Sequence, residues 1–217
     1  MIMKFSDETI SILKNFSGIN QSILFKPGNV LKTISPQKTV MSAATISEDV
    51  SGRAGIYDLS RFLSTLSLFE DPDVDFKEDR FTISSGRRKV DYTYAAENMI
   101  VTPPDKDIKL PHIDVSMNVA WTEIQAVIRA AGVLQVGDIS FTGKDGHIVM
   151  AATDGKNPTA DRYEVEVSEY SGEDFDMTIK VENLKLIPAD YEINLSSKGM
   201  SHFKSTKVQY WIAVQSN

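Results

Sequence analysis

The feature that most constrains the fold of this chain is an internal repeat. The order Ile12-Leu13-Lys14, two aliphatic residues followed by a base, recurs as Val127-Ile128-Arg129. A predicted β-hairpin follows each copy, over residues 23–31 and 139–149, where a Pro-Gly and an Asp-Gly pair mark turns between apolar runs. A helix and a hairpin that occur twice in the same order predict two similar domains.

A proline-rich segment near the middle of the chain separates the two copies. Its three prolines cannot occupy the interior of a helix or a central strand. We therefore predict an extended connector over residues 103–114, an N-terminal domain over residues 1–102 and a C-terminal domain over residues 115–217.

The hydrophobic pattern predicts a few short helices and many strands. Apolar residues recur at helical spacing in residues 6–18, 58–69 and 121–133, and in a weaker candidate over residues 181–187 that Pro188 ends. Ser6 and Asp58 are placed to cap the first two helices. Alternation of apolar and polar residues predicts strands at 81–83, 89–94, 163–167, 177–181, 191–195 and 208–214. The predicted fold class is α+β.

Composition bears on where the chain is found. It contains no cysteine, so neither a disulfide framework nor a thiolate zinc site can form. Asp7 and Glu8 lie close to the N-terminus, which argues against a signal peptide, and no apolar stretch is long enough to span a membrane. The sequence therefore predicts a cytoplasmic protein without a membrane partner.

Motifs of catalysis are missing from the sequence. His112, His147 and His202 lack the spacing of metal ligands, and no phosphate-binding loop or nucleophile elbow occurs. The acidic segment 70–79 resembles the start of a calcium loop but has Phe76 where that loop requires glycine, so we expect a solvated loop without an assigned role. We predict no catalytic residue, no metal and no cofactor.

The charge of the predicted helices contrasts with that of the whole chain. The formal net charge of −7 argues against contact with DNA phosphates. Each helix nevertheless has one base among small neutral side chains on its polar face: Lys14, Arg61, Arg129 and, in the weaker candidate, Lys185. A solvated helix face explains one such base, but its repetition favours a shared role. A ring with these bases inside and the acids outside could encircle double-stranded DNA without reading its sequence.

Short motifs in nearly the whole chain resemble those of a known family. They are Leu13-Lys14-Asn15-Phe16 with Ile19-Asn20, Ile56-Tyr57-Asp58-Leu59 with Phe62-Leu63, Leu134-Gln135, Gly172-Glu173 after Glu169-Tyr170, and the turn from Pro188 to Tyr191. In their order and spacing the chain resembles the sliding clamps of T-even-type bacteriophages, the processivity factors of the replicative DNA polymerase.

This resemblance implies a fold, an assembly and a set of partners. The DNA-clamp fold has two similar domains per chain, with outer antiparallel sheets and inner helices. The implied assembly is a homotrimeric ring around DNA, without catalysis. The implied partners are the DNA polymerase, an ATP-driven clamp loader, and transcription coactivators or sigma-like factors. Carried over by position, Lys14, Arg61, Arg129 and Lys185 would face DNA.

Two further sites follow from the resemblance as hypotheses. Subunits in such rings join at sheet edges, for which Tyr92 and Tyr94 are candidates on one side and Tyr163 and Val165 on the other; ordinary strand residues are the competing interpretation. Partner proteins insert a short apolar peptide beside the connector. The residues that could line this pocket, if they are not simply core or connector residues, are Met41, Ile108, Leu110, Pro111, Tyr210 and Ile212.

A second function is compatible with a duplicated, strand-rich chain. A β-rich viral structural or assembly protein without a DNA function could also be duplicated and form rings. The helix bases and the connector favour the clamp, because a scaffold needs neither.

Overall fold

The chain divides into two compact units, Met1–Lys106 and Asp107–Asn217. The computed structural model describes residues 2–106, 108–157 and 159–215. Asp107, within the predicted connector, lies outside the described residues. The described part of the predicted connector contains neither helix nor strand. No helix in the described ranges combines the length and the apolar character needed to cross a membrane.

In its described residues, the first unit contains two α-helices and eight antiparallel strands. In chain order its elements are β1 (Ile2–Met3), α1 (Asp7–Ile19), β2 (Ile23–Phe25), β3 (Gly28–Ile34), β4 (Val40–Val50), β5 (Ala54–Ile56), α2 (Leu59–Leu66), β6 (Asp73–Phe76), β7 (Arg80–Ser85) and β8 (Arg88–Thr93), followed by a 3-10 helix over Glu97–Met99. One sheet has the order β8-β7-β6-β1. Within this unit, β4 pairs with β3 and β2 pairs with β5.

The described part of the second unit contains one α-helix and eight antiparallel strands. Its elements are β9 (Val115–Val119), α3 (Trp121–Leu134), β10 (Asp138–Lys144), β11 (His147–Thr153), β12 (Tyr163–Glu169), β13 (Phe175–Lys180), a 3-10 helix over Val181–Asn183, β14 (Tyr191–Ser196), β15 (Met200–Lys204) and β16 (Val208–Ala213). Within this unit the strands are hydrogen-bonded in two series, in the orders β16-β15-β14-β9 and β12-β11-β10-β13.

The two units have the same order of elements. Each contains the series strand, helix, strand, strand, strand twice, and β8-β7-β6-β1 corresponds strand for strand to β16-β15-β14-β9. The one substitution in this scheme is the 3-10 helix over Val181–Asn183, which takes the place of α2 in the second unit. The predicted α+β class with two similar domains is therefore confirmed.

The three predicted helices form, and their ends are stabilised in different ways. The hydroxyl of Ser6 accepts a hydrogen bond from the backbone N–H of Thr9 at 3.2 Å, and Asp58 accepts one from Arg61 at 2.8 Å. The N-terminus of α3 has no side-chain cap at Ala120. Instead, the carboxylate of Asp190 accepts a hydrogen bond from the backbone N–H of Trp121 at 2.8 Å.

The fourth helical candidate, over residues 181–187, was wrong. Only Val181–Asn183 are helical, as a single 3-10 turn. After it Leu184 and Leu186 are buried while the residue between them is exposed. This alternation is that of an extended chain, and seven residues ending at a proline are too few for a stable α-helix.

The two predicted hairpins differ in outcome. The hairpin over residues 139–149 is present, and Asp145 and Gly146 have the positive φ angles, 53° and 90°, of a tight two-residue turn. The hairpin over residues 23–31 is wrong, because β2 pairs with β5 and β3 pairs with β4. Pro27 has no N–H to donate, and at Gly28 φ is 111°, so the chain bends out of a regular ladder here.

The acidic segment 70–79 is not wholly a loop. Residues Asp73–Phe76 form β6, between β1 and β7, and Val74 is fully buried. The order Asp-Val-Asp-Phe places acids on one face and apolar residues on the other, which is the alternation of a half-buried strand.

Each unit has an aromatic core. In the first unit the ring centroids of Phe25, Phe62 and Phe76 lie 4.7–6.1 Å from that of Phe81. In the second unit the ring of Tyr191 lies 6.2 Å from those of Phe203 and Tyr210. Full burial of such a side chain stabilises the fold by roughly 1.5–3 kcal/mol. These cores support α1 and α2 in the first unit and the strands that precede the C-terminus in the second.

Candidate nucleic-acid interface

The body of each helix carries a single charged residue, and it is a base. The acids of α1 and α3 are confined to the first turn, at Asp7, Glu8 and Glu123. Beyond the first turn, the charged residue is Lys14 in α1 and Arg129 in α3; in α2 the single charge is Arg61. Each helix therefore presents a weakly basic polar face in an otherwise acidic chain.

Lys14 and Arg61 lie on neighbouring helices of the first unit. Both side chains are exposed, whereas the opposite faces of α1 and α2 bury apolar residues such as Phe16 and Phe62. Around Arg61 the hydroxyls of Ser64 and Thr65 donate to backbone carbonyls of their own helix, so its polar neighbours within α2 are uncharged; the nearest acid of this segment is the N-cap, Asp58. An anion that approaches these helices would meet the two bases without an adjacent acid in the helix body.

Arg129 has a similar position in the second unit. It is exposed on α3, whose buried face is formed by Ile124, Val127 and Ala131 and packs on β10, β11 and β12. Thr122 and Gln125 are exposed too, and beyond the first turn this face is uncharged apart from Arg129, with Val133 as an exposed apolar residue.

Many other bases of the chain already have an acidic partner. Ion pairs join Lys4 to Asp71, Lys26 to Asp105, Arg53 to Glu97, Lys77 to Asp75, Arg80 to Asp79, Arg162 to Glu164 and Lys180 to Asp138. Lys14, Arg61 and Arg129 form no ion pair with any residue in the described ranges. These three cations are therefore available to an external anion.

Lys185 differs from the other three predicted bases. It is exposed, but it lies in the extended segment between the 3-10 helix and β14, not on a helix. The burial of Leu184 and Leu186 on either side holds its side chain outward. If Lys185 faces DNA as predicted, it does so from a short extended segment, at the place where the first unit has the helix α2.

Tyr92 and Tyr94 lie at the edge of a sheet. Tyr92 is in β8, the last strand of its sheet, and Tyr94 follows one residue after the strand ends. Both are half-buried, and their hydroxyls donate to the carbonyls of Asp58, at 3.1 Å, and Lys77, at 3.2 Å. Burial raises the pKa of Tyr94 to about 12, so the phenol remains a hydrogen-bond donor at neutral pH.

Tyr163 and Val165 also lie at a sheet edge. They belong to β12, which pairs with β11 and is the last strand of its sheet in the described chain. Tyr163 is 40% exposed and Val165 is half-buried. Among the described residues, β8 in the first unit and β12 in the second are therefore terminal strands with partly exposed side chains along them.

The residues predicted to line a peptide pocket fall into two groups. Met41 is 4% exposed, and Tyr210 and Ile212 are completely buried, so these three belong to the cores of their units and not to an accessible pocket. In β16 the burial of every second residue explains this: the apolar positions of the strand face inward. Ile108 and Leu110 are partly exposed and Pro111 is exposed, in a segment without regular structure.

Comparison with known proteins decides the family. A model described as DNA polymerase processivity factor matches residues 6–102, and one described as gp45 sliding clamp, C terminal, matches residues 116–216. The sliding clamp of Escherichia phage RB69 is 31% identical over 223 residues, which cover 99% of this chain and 98% of that protein. The sliding clamp of Enterobacteria phage T4 is 30% identical over 226 residues, with 99% and 98% coverage. The chain belongs to the sliding clamp family. As a sliding clamp it is a processivity factor of DNA polymerase.

Solved structures of more distant clamps share the fold of this clamp. A proliferating cell nuclear antigen (PCNA) from Thermococcus kodakaraensis matches with a TM-score of 0.71 at 18% identity, over 99% of both chains. The beta clamp of Helicobacter pylori matches with a TM-score of 0.76 at 11% identity, over all of this chain and 66% of that one. At such low identity the likeness concerns the fold alone.

Sequence reasoning missed residues that hold the clamp helices in place. The carboxylate of Glu48, in β4, accepts hydrogen bonds from the backbone N–H of Ser6 and from the hydroxyl of Thr9, the latter at 2.6 Å. Asp190 likewise caps α3 from a distant turn. No local pattern marks either acid, because its partner is more than 35 positions away in the chain.

Proposed function

We propose that three copies of this clamp close into a ring around double-stranded DNA and tether the DNA polymerase to its template. The three bases on α1, α2 and α3 that form no ion pair within the described ranges carry the proposal. Phosphate contacts of this kind contain no base information, so the ring would bind without sequence preference. Weak, salt-screened contacts would let it slide, and retention would come from topology.

The net charge of the chain supports this arrangement of bases. Three copies carry three times the formal charge of −7, which would repel DNA from most of the outer surface. Lys14, Arg61 and Arg129, with Lys185, would instead form the inner wall. The ring requires this segregation of charge, because an evenly acidic inner surface would exclude the duplex.

In the proposed ring, neighbouring subunits join through the strand edges β8 and β12. In the proposal, β8 of one subunit pairs with β12 of the next, and Tyr92, Tyr94, Tyr163 and Val165 pack along the junction. Such a contact uses two different surfaces, and head-to-tail contacts close into rings when the rotation allows. Two units in each of three subunits make six around the ring.

Partner proteins would bind near the connector through short apolar peptides. Ile108, Leu110 and Pro111 are the candidate contacts, since their side chains are accessible. Two solved clamps with this fold are described as bound to a segment of another protein: A. fulgidus PCNA to the C-terminal region of FEN-1, and the Helicobacter pylori beta clamp to a DNA ligase peptide. Here the partners would be the DNA polymerase, an ATP-driven clamp loader, and transcription coactivators or sigma-like factors.

The ring itself would catalyse no reaction. It would work in the cytoplasm of an infected host cell, and the ATP-driven loader would supply the energy for opening it.

The topological proposal is tested by comparing retention on DNA of two shapes. The clamp is loaded by its clamp loader onto nicked circular DNA and onto short linear DNA, and bound protein is separated from free protein by gel filtration. We expect retention on the circle and loss from the linear duplex, because a ring slides off free ends. Equal retention on both would contradict encirclement.

The inner wall is tested by removing its bases. A variant with Lys14→Ala, Arg61→Ala, Arg129→Ala and Lys185→Ala should load at least roughly tenfold less well, because removal of each base lowers the affinity for phosphates and reduces its salt dependence. A matched control removes four exposed lysines elsewhere, at positions 38, 144, 156 and 198, and should load normally. Sedimentation should show that both variants keep the oligomer; loss of the oligomer in the first would mean that these bases do not line the channel.

A further inference from the structure

The terminal strands β8 and β12 carry opposite charge. The β8 edge, defined here as residues 87–93, contains the bases Arg87, Arg88 and Lys89 and the acid Asp91. The β12 edge, residues 163–169, contains the acids Glu164, Glu166 and Glu169 and no base. One edge is therefore basic and the other acidic, although neither forms part of the helix faces proposed to meet DNA.

On the β8 edge the charges divide between the two faces of the sheet. Lys89 and Asp91 lie side by side, with Lys89 Nζ 3.5 Å from the carboxylate, and the hydroxyl of Thr82 donates to Asp91 on that same face. On the opposite face Val90 and Tyr92 lie beside Ile83 and Phe81, which are completely buried. Lys89 thus points away from the core of its unit.

Arg88 is engaged differently from its neighbours. Its guanidinium carbon lies 5.8 Å from the ring centroid of Phe69, on the face of the sheet that packs against the core. Arg87, in the turn before β8, and Lys89 are both exposed. These two bases are therefore the ones that can meet another sheet edge on the outer face, Lys89 by exchanging its exposed pair with Asp91.

The β12 edge has the same division of faces. Val165 lies opposite Met150, which is 2% exposed, so this face covers the core of the second unit. Glu164 and Glu166 alternate with it on the other face, where they are exposed. Their present neighbours are Arg162, 2.9 Å from Glu164, and His147, 2.7 Å from Glu166. Exposed pairs of this kind contribute little and can be exchanged for new ones.

We propose that these opposite charges direct subunits to join head to tail, with Arg87 and Lys89 of one copy facing Glu164 and Glu166 of the next. This inference rests on the proposed ring and concerns the interaction that decides which two strand edges join. In an antiparallel junction the core-facing side chains of both strands lie on one face, and Lys89 lies on the other face with the two glutamates. Pairing of two β8 edges, or of two β12 edges, would place like charges opposite each other. The charges therefore favour the contact that closes a ring over symmetric dimers.

The proposal is tested by charge reversal measured through subunit dissociation. The variants are Arg87→Glu with Lys89→Glu, Glu164→Lys with Glu166→Lys, and the chain with all four substitutions. Analytical ultracentrifugation gives the dissociation constant at about 0.1 M and about 1 M NaCl, where the Debye length falls from about 10 Å to about 3 Å. Each two-residue variant should dissociate at least roughly tenfold more readily at low salt, and the four-residue variant should recover association, because attraction between the edges is restored with its sign exchanged.

The response to salt gives a second readout. High salt should weaken the wild-type oligomer but strengthen that of each two-residue variant, since screening then removes repulsion. A control with Lys109→Glu and Lys198→Glu makes the same change in net charge as Arg87→Glu with Lys89→Glu, at exposed positions outside both edges, and should associate like the wild type.

Three outcomes separate this inference from the proposed ring. A wild-type protein that is monomeric at both salt concentrations would overturn the ring and the inference together. A wild-type ring with unchanged dissociation in both two-residue variants would overturn the charge mechanism alone. Folded two-residue variants that dissociate, with no recovery in the four-residue variant, would also overturn it.

Discussion

At the scale of single residues, the first turn of α1 depends on a distant carboxylate. Thr9 is completely buried and donates its hydroxyl to Glu48 at 2.6 Å, while the backbone N–H of Ser6 donates to the same carboxylate. Burial of Glu48 opposes ionisation, but the hydrogen bonds from Thr9 and Ser6 outweigh it and lower its pKa. The cap at Ser6 is visible in the sequence, whereas this second support is not.

The lowered pKa of Glu48 leads to a prediction for acid stability. A carboxyl whose folded pKa lies below its unfolded value stabilises the fold at neutral pH, and this contribution is lost as the pH falls through the folded pKa. We expect Glu48→Gln to lower the free energy of unfolding by about 1 kcal/mol at neutral pH and by much less below the folded pKa, where the wild-type residue is neutral too. Urea unfolding at neutral and acid pH measures both values. Asp49→Asn, at an exposed neighbour, is the control, and an equal loss at both pH values would contradict the prediction.

At the scale of single elements, two glycines have opposite surroundings. Gly132 is exposed in the last turns of α3, and a β-carbon there would meet no atom within 4 Å. Gly143 lies in β10, where a β-carbon would overlap the ring of Phe175 and lie 2.9 Å from that of Tyr170. The helix thus tolerates a side chain that the strand excludes.

These surroundings predict opposite effects of the same substitution. Gly132→Ala should raise the free energy of unfolding by about 0.5–1 kcal/mol, because alanine restricts the unfolded chain and favours the helix. Gly143→Ala should lower it by about 1–3 kcal/mol, because the ring of Phe175 must move. Chemical unfolding of both variants gives the comparison. If the free energy of unfolding rises in Gly143→Ala instead, the aromatic rings can move aside without destabilising the fold.

At the scale of the whole molecule, ring formation couples stability to concentration. Association of folded subunits stabilises the folded state by mass action, since the unfolded chain offers no paired edges. We expect the apparent melting temperature to rise over about a hundredfold increase in protein concentration. The rise should be smaller for the variant with Arg87→Glu and Lys89→Glu, and calorimetry on both proteins measures it. A melting temperature independent of concentration in the wild type would contradict ring formation in that range.

Local patterns in the sequence were enough for much of the fold. Helical periodicity with caps at Ser6 and Asp58 predicted α1 and α2, and Asp145-Gly146 predicted the hairpin of β10 and β11, since these signals act over three or four residues. Repetition of the pattern predicted the two similar domains. The exposed positions of Lys14, Arg61 and Arg129 followed from the same periodicity, because a helix with one apolar face must expose the other.

The features of the fold and of the candidate site that local patterns did not predict depend on contacts between distant parts of the chain. The pairing of β2 with β5, the extended segment around Lys185 and the burial of Tyr210 and Ile212 could not be predicted, because each depends on neighbours that are distant in the chain. The same holds for Glu48, whose partners precede it by about forty positions. A sequence pattern shows which residues are apolar and how they are spaced. Only packing decides which of two apolar surfaces becomes a core and which remains open to a partner, since burial depends on all the elements that meet there.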